Sequence, residues 1–309
     1  MSDLNQPPAS SRSTDPLLRG PQPFLMLVDR AVVECRRWFH RLYWPAGLTI
    51  GLAQVGIAGS QLYTFGGMTE PGDQAVFGSC VALLAILSFG LLAIGVYSVQ
   101  WTLCTDALSG AEPRWGSAIR FVLRPIHVLT FLVSALAITV GLVMCFVPGM
   151  VLGALLIVLV PTLRVEGSGI GAISRSARLV GSGPDGRIAM GPIAQGFLLL
   201  VLSSALNYAV AGVFQLPAAL LQQYILLEQA LESAGGGLSP QLLLLQLPAS
   251  FLTGMAQALV YYYIGMAVSL FYFDLRCRRE GQDLERALDE LEVPALASGN
   301  DAPMGSPVP

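Results

Sequence analysis

Few side chains in this chain are capable of chemistry, and their spacing decides what they can do. The two histidines, His40 and His127, stand far apart in the sequence. Neither belongs to a His-Glu-x-x-His arrangement, which would place two imidazoles on one helix face around zinc. Ser203 and Ser204 fall in an apolar run with no neighbouring His or Lys to act as base, so helix packing is their expected role. No phosphate-binding P-loop is present. The pattern predicts no catalytic, cofactor-binding or metal site, and no enzymatic activity.

A charged set near the ends of apolar segments is more informative: Glu166, Arg175, Arg178, Asp274, Arg276, Arg278, Glu280 and Asp283. Asp274 and Arg278 are four residues apart, one helical turn, and Glu166 and Glu280 are available to neighbouring arginines. Guanidinium groups also bind anionic lipid headgroups. The expected chemistry is an interaction surface for lipids and for a membrane protein partner or a second copy, with no nucleic-acid partner.

The elements that must position these groups are membrane helices. About half the residues are apolar, 12% are charged, and mean hydropathy is strongly positive, unlike a soluble domain. Six spans are expected, at about 45–65, 75–101, 127–147, 150–163, 188–215 and 249–273, since about twenty helical residues cross a ~30 Å hydrocarbon core. They make up a membrane domain over 23–273. A disordered cytoplasmic tail is expected before it at 1–22, without the features of a cleavable signal peptide. An amphipathic helix over 274–292 and a disordered tail over 293–309 follow it.

All 17 basic residues are arginines, and every one falls on the same side of this span map. Arginine-rich loops stay cytoplasmic during insertion, so both termini are expected in the cytoplasm, with the protein in the inner membrane. Cys35, Cys104 and Cys277 then lie toward the reducing side and Cys80 and Cys145 toward the outer side.

Three amphipathic segments lie on the arginine side, each before a hairpin. The first has Val28, Ala31, Val32, Cys35, Trp38, Phe39 and Leu42 as its apolar stripe; the others are centred on Arg120 and on Arg175. All three are expected to lie in the headgroup plane. Pro148 and Gly149 are the expected turn between the third and fourth spans, because Gly tolerates positive φ and Pro does not continue a helix. Residues 216–231 read as a separate interfacial helix on the outer side. Gln54, Gln61, Gln100, Gln195, Asn207 and Gln257 fall within or near spans and are expected to join helices.

Two stretches resemble a known family. VPGMVLGALLIVLVPTLRVEGSGIGAISRSARLVGSG and FYFDLRCRREGQDLERAL are similar to the bacterial glycerophosphodiester phosphodiesterase membrane-domain family. The matching positions are Pro148, Gly149, Glu166, Gly167, Ala172, Arg175, Ser176, Leu179 and Gly181, then Asp274, Arg276, Arg278, Glu280, Gly281, Asp283 and Leu284. The resemblance implies a six-span integral membrane protein. It does not bring the phosphodiesterase activity, which resides in a separate barrel domain of about 250 residues that has no counterpart here. The expected function is that of a non-catalytic scaffold or accessory subunit in cell-envelope or lipid homeostasis, with a permease-like subunit as the alternative.

Overall fold

The computed structural model describes residues 23–67, 73–167, 169–182, 190–232 and 240–281. These form an all-helical structure: α1 (Phe24–Gly67), α2 (Asp73–Leu108), α3 (Trp115–Val122), α4 (Pro125–Met144), α5 (Phe146–Leu156), α6 (Leu159–Glu166), α7 (Gly171–Gly181), α8 (Met190–Glu232) and α9 (Pro240–Glu280). Among the described residues, five helical stretches are long and apolar enough to cross a membrane: Gly78–Leu108, Pro125–Met144, Phe146–Glu166, Met190–Leu216 and Gln246–Arg279. The expected first span lies in α1 and is not one of them.

Helix α9 is the axis of the bundle. Its second half is almost wholly buried, with Tyr262, Met266, Ala267, Val268, Phe271 and Tyr272 fully enclosed, and α1, α2 and α8 pack around it. Small residues set the spacing of α1 against α9. A Cβ added at Gly254 would lie 2.8 Å from both the Gly51 Cα and the Ile50 carbonyl oxygen, so the two backbones nearly touch. The outward faces of α2, α4 and α8 expose large apolar side chains such as Leu84, Leu91, Leu132, Leu136 and Val213. A soluble protein rarely shows so much apolar surface, whereas a bilayer solvates it.

Several expected boundaries move. The amphipathic stripe at 28–42 and the first span are one unbroken helix, α1, with Pro45 inside it. Ala31 and Leu42 are fully buried, and both belong to the core that includes α9. Proline at 45 removes the N–H that would bond to the Arg41 carbonyl. That carbonyl is not left without a donor, because the Trp115 indole N–H donates to it at 3.0 Å. Likewise, the expected outer helix at 216–231 is not separate but continues the fifth span as α8. The tail helix expected from 274 begins as the last turns of α9, and its part beyond Gly281 lies outside the described residues.

The hairpin turn lies earlier than Pro148 and Gly149. Cys145, with φ −163° and ψ 128°, is the extended residue between α4 and α5. Pro148 falls in the first turn of α5, where its missing N–H has no intrahelical partner to lose. Gly149 is helical, not in the left-handed region. Its smallness serves contact instead, because a Cβ there would strike the Leu142 backbone. The fourth span is also longer than 150–163, reaching from Phe146 to Glu166. It breaks between α5 and α6 at Ile157–Val158, where Pro161 denies the Ile157 carbonyl its helical donor.

Candidate functional site

Most of the described arginines gather where α2 ends, α3, α6 and α7 lie, and α9 finishes. Helix α2 closes at Leu108, with Gly110 left-handed at φ 79°. Within its last turn, Asp106 is 4% exposed, and a lone buried carboxylate would be costly. Arg164 of α6 meets it in a two-pronged ion pair, Nε to Oδ1 at 2.7 Å and Nη2 to Oδ2 at 2.8 Å. The same guanidinium reaches Ser117 Oγ at 3.4 Å and stands over the Phe121 ring at 4.9 Å. α2, α3 and α6 are thus tied through one cation.

His127 completes this corner. It is buried, and its Nδ1 lies 2.7 Å from the Phe121 carbonyl oxygen, with the two rings 4.1 Å apart. Its place is inside the α3–α4 junction. His40 is exposed on α1, edge-on to Phe39. The two imidazoles share no site.

The second cluster contains most of the residues singled out in the sequence. α6 ends at Glu166, capped by Gly167 at φ 66°. Arg175 of α7 donates through Nε to Glu166 Oε2 at 3.0 Å and Oε1 at 3.3 Å. From α9, the Tyr272 hydroxyl donates to Glu166 Oε1 at 3.2 Å, and Arg276 Nη1 donates to the Tyr272 oxygen at 3.4 Å. Asp274 and Arg278 pair along α9 at 2.8 Å. Arg279 Nη1 donates to the Arg178 carbonyl at 2.6 Å, fastening the end of α9 to α7.

The structure therefore unites Glu166, Arg175 and Arg276 through Tyr272. Arg178 takes part through its backbone, and Asp274 with Arg278 forms a local pair. The Glu280 side chain and Asp283 lie outside the described residues. Ala172, Ser176, Leu179 and Val180 form the buried face of α7, and Ser176 Oγ donates to the Leu155 carbonyl at 2.8 Å, tying α7 to α5.

Asp106, Arg164 and Tyr272 are functional positions that the sequence pattern does not single out. The available signal was a single carboxylate at the charged end of one apolar run and a single arginine at the end of another, which can satisfy each other. Tyr272 stands in an aromatic run, FYF, that carries no signal of a polar role.

Polar groups deeper in the bundle mostly join helices. Gln54 Nε2 donates to Gln257 Oε1 at 3.0 Å, Thr105 and Ser269 hydroxyls are 3.1 Å apart, and the Trp101 indole donates to the Tyr261 carbonyl at 3.0 Å. Asn207 Nδ2 donates to the Tyr261 hydroxyl at 3.3 Å, and Gln100 Nε2 to the Ala258 carbonyl at 3.4 Å. Ser204 returns its hydroxyl to the Leu200 carbonyl at 3.0 Å. Among the described residues, no three His, Cys, Asp or Glu side chains converge as a metal site would require. What the charged end can do chemically is hold helices together and present guanidinium groups to anions.

No protein-family model, curated protein or solved structure matches this chain.

Proposed function

We propose that this chain is a six-span inner-membrane protein with both termini in the cytoplasm, acting without chemistry of its own as a scaffold or accessory subunit in cell-envelope or lipid homeostasis. α1 supplies the sixth span, and the resemblance to the glycerophosphodiester phosphodiesterase membrane-domain family is part of this proposal. The observation that carries it is the packing of α9: its glycines abut α1 and α2 directly, and most of the polar side chains beside it make helix-to-helix bonds. Such a centre favours a fixed frame over a solute pathway. The arginine-bearing end, with Arg175, Arg178, Arg276 and Arg278, would face anionic headgroups and a partner membrane protein or second copy.

A permease-like subunit is the second reading. It draws on Gln100 Oε1 and Asn207 Oδ1, buried acceptors that lack a hydrogen-bond partner among the described residues. Reconstitution into sealed vesicles separates the two. A scaffold leaves release of small amphipathic dyes at the level of protein-free vesicles, and saturable release that depends on Gln100 and Asn207 would establish transport.

A further inference from the structure

The α1–α9 seam contains a groove of about 500 Å³ that the helix-to-helix packing leaves unfilled. Its walls are Val32 and Phe39 of α1 and Leu259 and Tyr263 of α9, with Arg36 and His40 at its edge. The groove is preformed. The Tyr262 hydroxyl donates to the Cys35 carbonyl at 3.0 Å and the Tyr263 hydroxyl to the Val28 carbonyl at 3.4 Å, holding the two helices at a fixed separation. The size falls within the ~300–1,000 Å³ range of small-ligand pockets.

Two features of the lining specify the occupant. Val32 is 39% exposed and Leu259 43%, so the apolar walls open sideways to the surroundings of the bundle, which is the side from which a hydrocarbon chain would enter. Val32, Arg36 and His40 follow one another at four-residue intervals and so share one face of α1, which places a cation and an imidazole directly beside the apolar strip. Arg36 has no carboxylate partner among the described residues. The nearest acid in sequence, Glu34, is 4.0 Å from Arg37 instead. An apolar slot with an uncompensated guanidinium at its edge is complementary to a molecule with a long acyl chain and a negative head.

We propose that this groove is a binding site for one acyl chain of an anionic phospholipid, with Arg36 and His40 holding the phosphate. This deepens the membrane-scaffold reading and rests on it in one respect, that α1 lies at the membrane edge.

The full-length chain, purified in mild detergent, tests the site by native mass spectrometry with phosphatidylglycerol and phosphatidylcholine of identical chains. The wild type is expected to retain phosphatidylglycerol at least tenfold better, and the double variant Arg36→Ala with His40→Ala to lose that preference. The control variant Arg114→Ala with Arg120→Ala removes two cations away from the groove and should keep it. Equal retention of the two lipids by the wild type would overturn the proposal. So would a preference that survives the Arg36 and His40 changes, or one abolished equally by the control. In addition, phosphatidylglycerol with a photoreactive acyl chain should label residues 32–40 or 259–263, and labelling confined to other segments would count against the groove. Failure of these lipid tests leaves protein co-purification unaffected, so the site and the scaffold reading can fall separately.

Discussion

The Trp115 indole N–H donates to the Arg41 carbonyl at 3.0 Å, the acceptor that Pro45 leaves without a helical donor in α1. A side chain from α3 thereby repairs α1, and the repair also ties these two helices together. Substituting Trp115→Phe removes the donor and should cost about 1 kcal/mol, the usual net value of such a bond. In a Pro45→Ala background the backbone N–H returns, and the Trp115→Phe penalty should shrink. Melting temperatures of the four proteins in one detergent provide the cycle, and strict additivity would show that the two sites are uncoupled.

The Asp106–Arg164 pair should be expensive to break and cheap to replace. Asp106→Asn or Arg164→Gln alone leaves the other charge poorly compensated and should destabilise by about 3 kcal/mol or more. Replacing both by apolar residues, Asp106→Leu with Arg164→Met, should recover much of that loss. A double variant as unstable as the sum of the single ones would mean that the side chains act independently.

Gly254 should tolerate less than glycines on open faces. Gly254→Ala places a methyl group 2.8 Å from the Gly51 Cα, a backbone atom that cannot rotate away, and should cost about 1–3 kcal/mol. A Cβ at Gly59 or Gly212 meets nothing within 4 Å. Gly59→Ala and Gly212→Ala should therefore be neutral or slightly stabilising, as expected of helical glycines with open space around them. Equal effects at all three positions would argue against close α1–α9 packing.

Cys35 should resist alkylation. Burial, and then the Glu34 carboxylate, push its thiol up to about 12. The raised value favours the neutral thiol in the folded chain, so no stability is lost to its ionisation below the ordinary thiol value of ~8.5. Between that value and about 12 the unfolded chain ionises first, and stability falls as pH rises. In a variant with the other four cysteines changed to Ser, iodoacetamide should react at pH 8 far more slowly than with a model thiol. Comparable rates would contradict the half-buried position of Cys35 beside Glu34.

The apolar runs made the helical, membrane-embedded character legible, because hydrocarbon thickness demands long stretches that few other structures need. Glu166, Arg175 and Arg276 were also legible as one charged layer, since each falls at the arginine-rich end of a span. Helix boundaries were less so. The stripe at 28–42 and the span from 45 read as separate elements, yet α1 runs through Pro45, and the donor that meets the freed Arg41 carbonyl, Trp115, lies in a different element. Pro148 and Gly149 looked like a turn, yet the first turn of a helix accepts proline, and Gly149 is small because Leu142 is close. Asp106 and Arg164 stand far apart in sequence, so their pairing depends on the packing of α6 against α2, which local patterns do not contain.

The central claim, that this chain is a scaffold working through its charged end, is tested most directly by co-purification from native membranes in mild detergent. The wild type should retain a companion membrane protein in a fixed ratio, and Arg175→Ala with Arg276→Ala should release it while the chain stays folded. Recovery of a lone monomer, with no specific companion under conditions that preserve other membrane complexes, would contradict it.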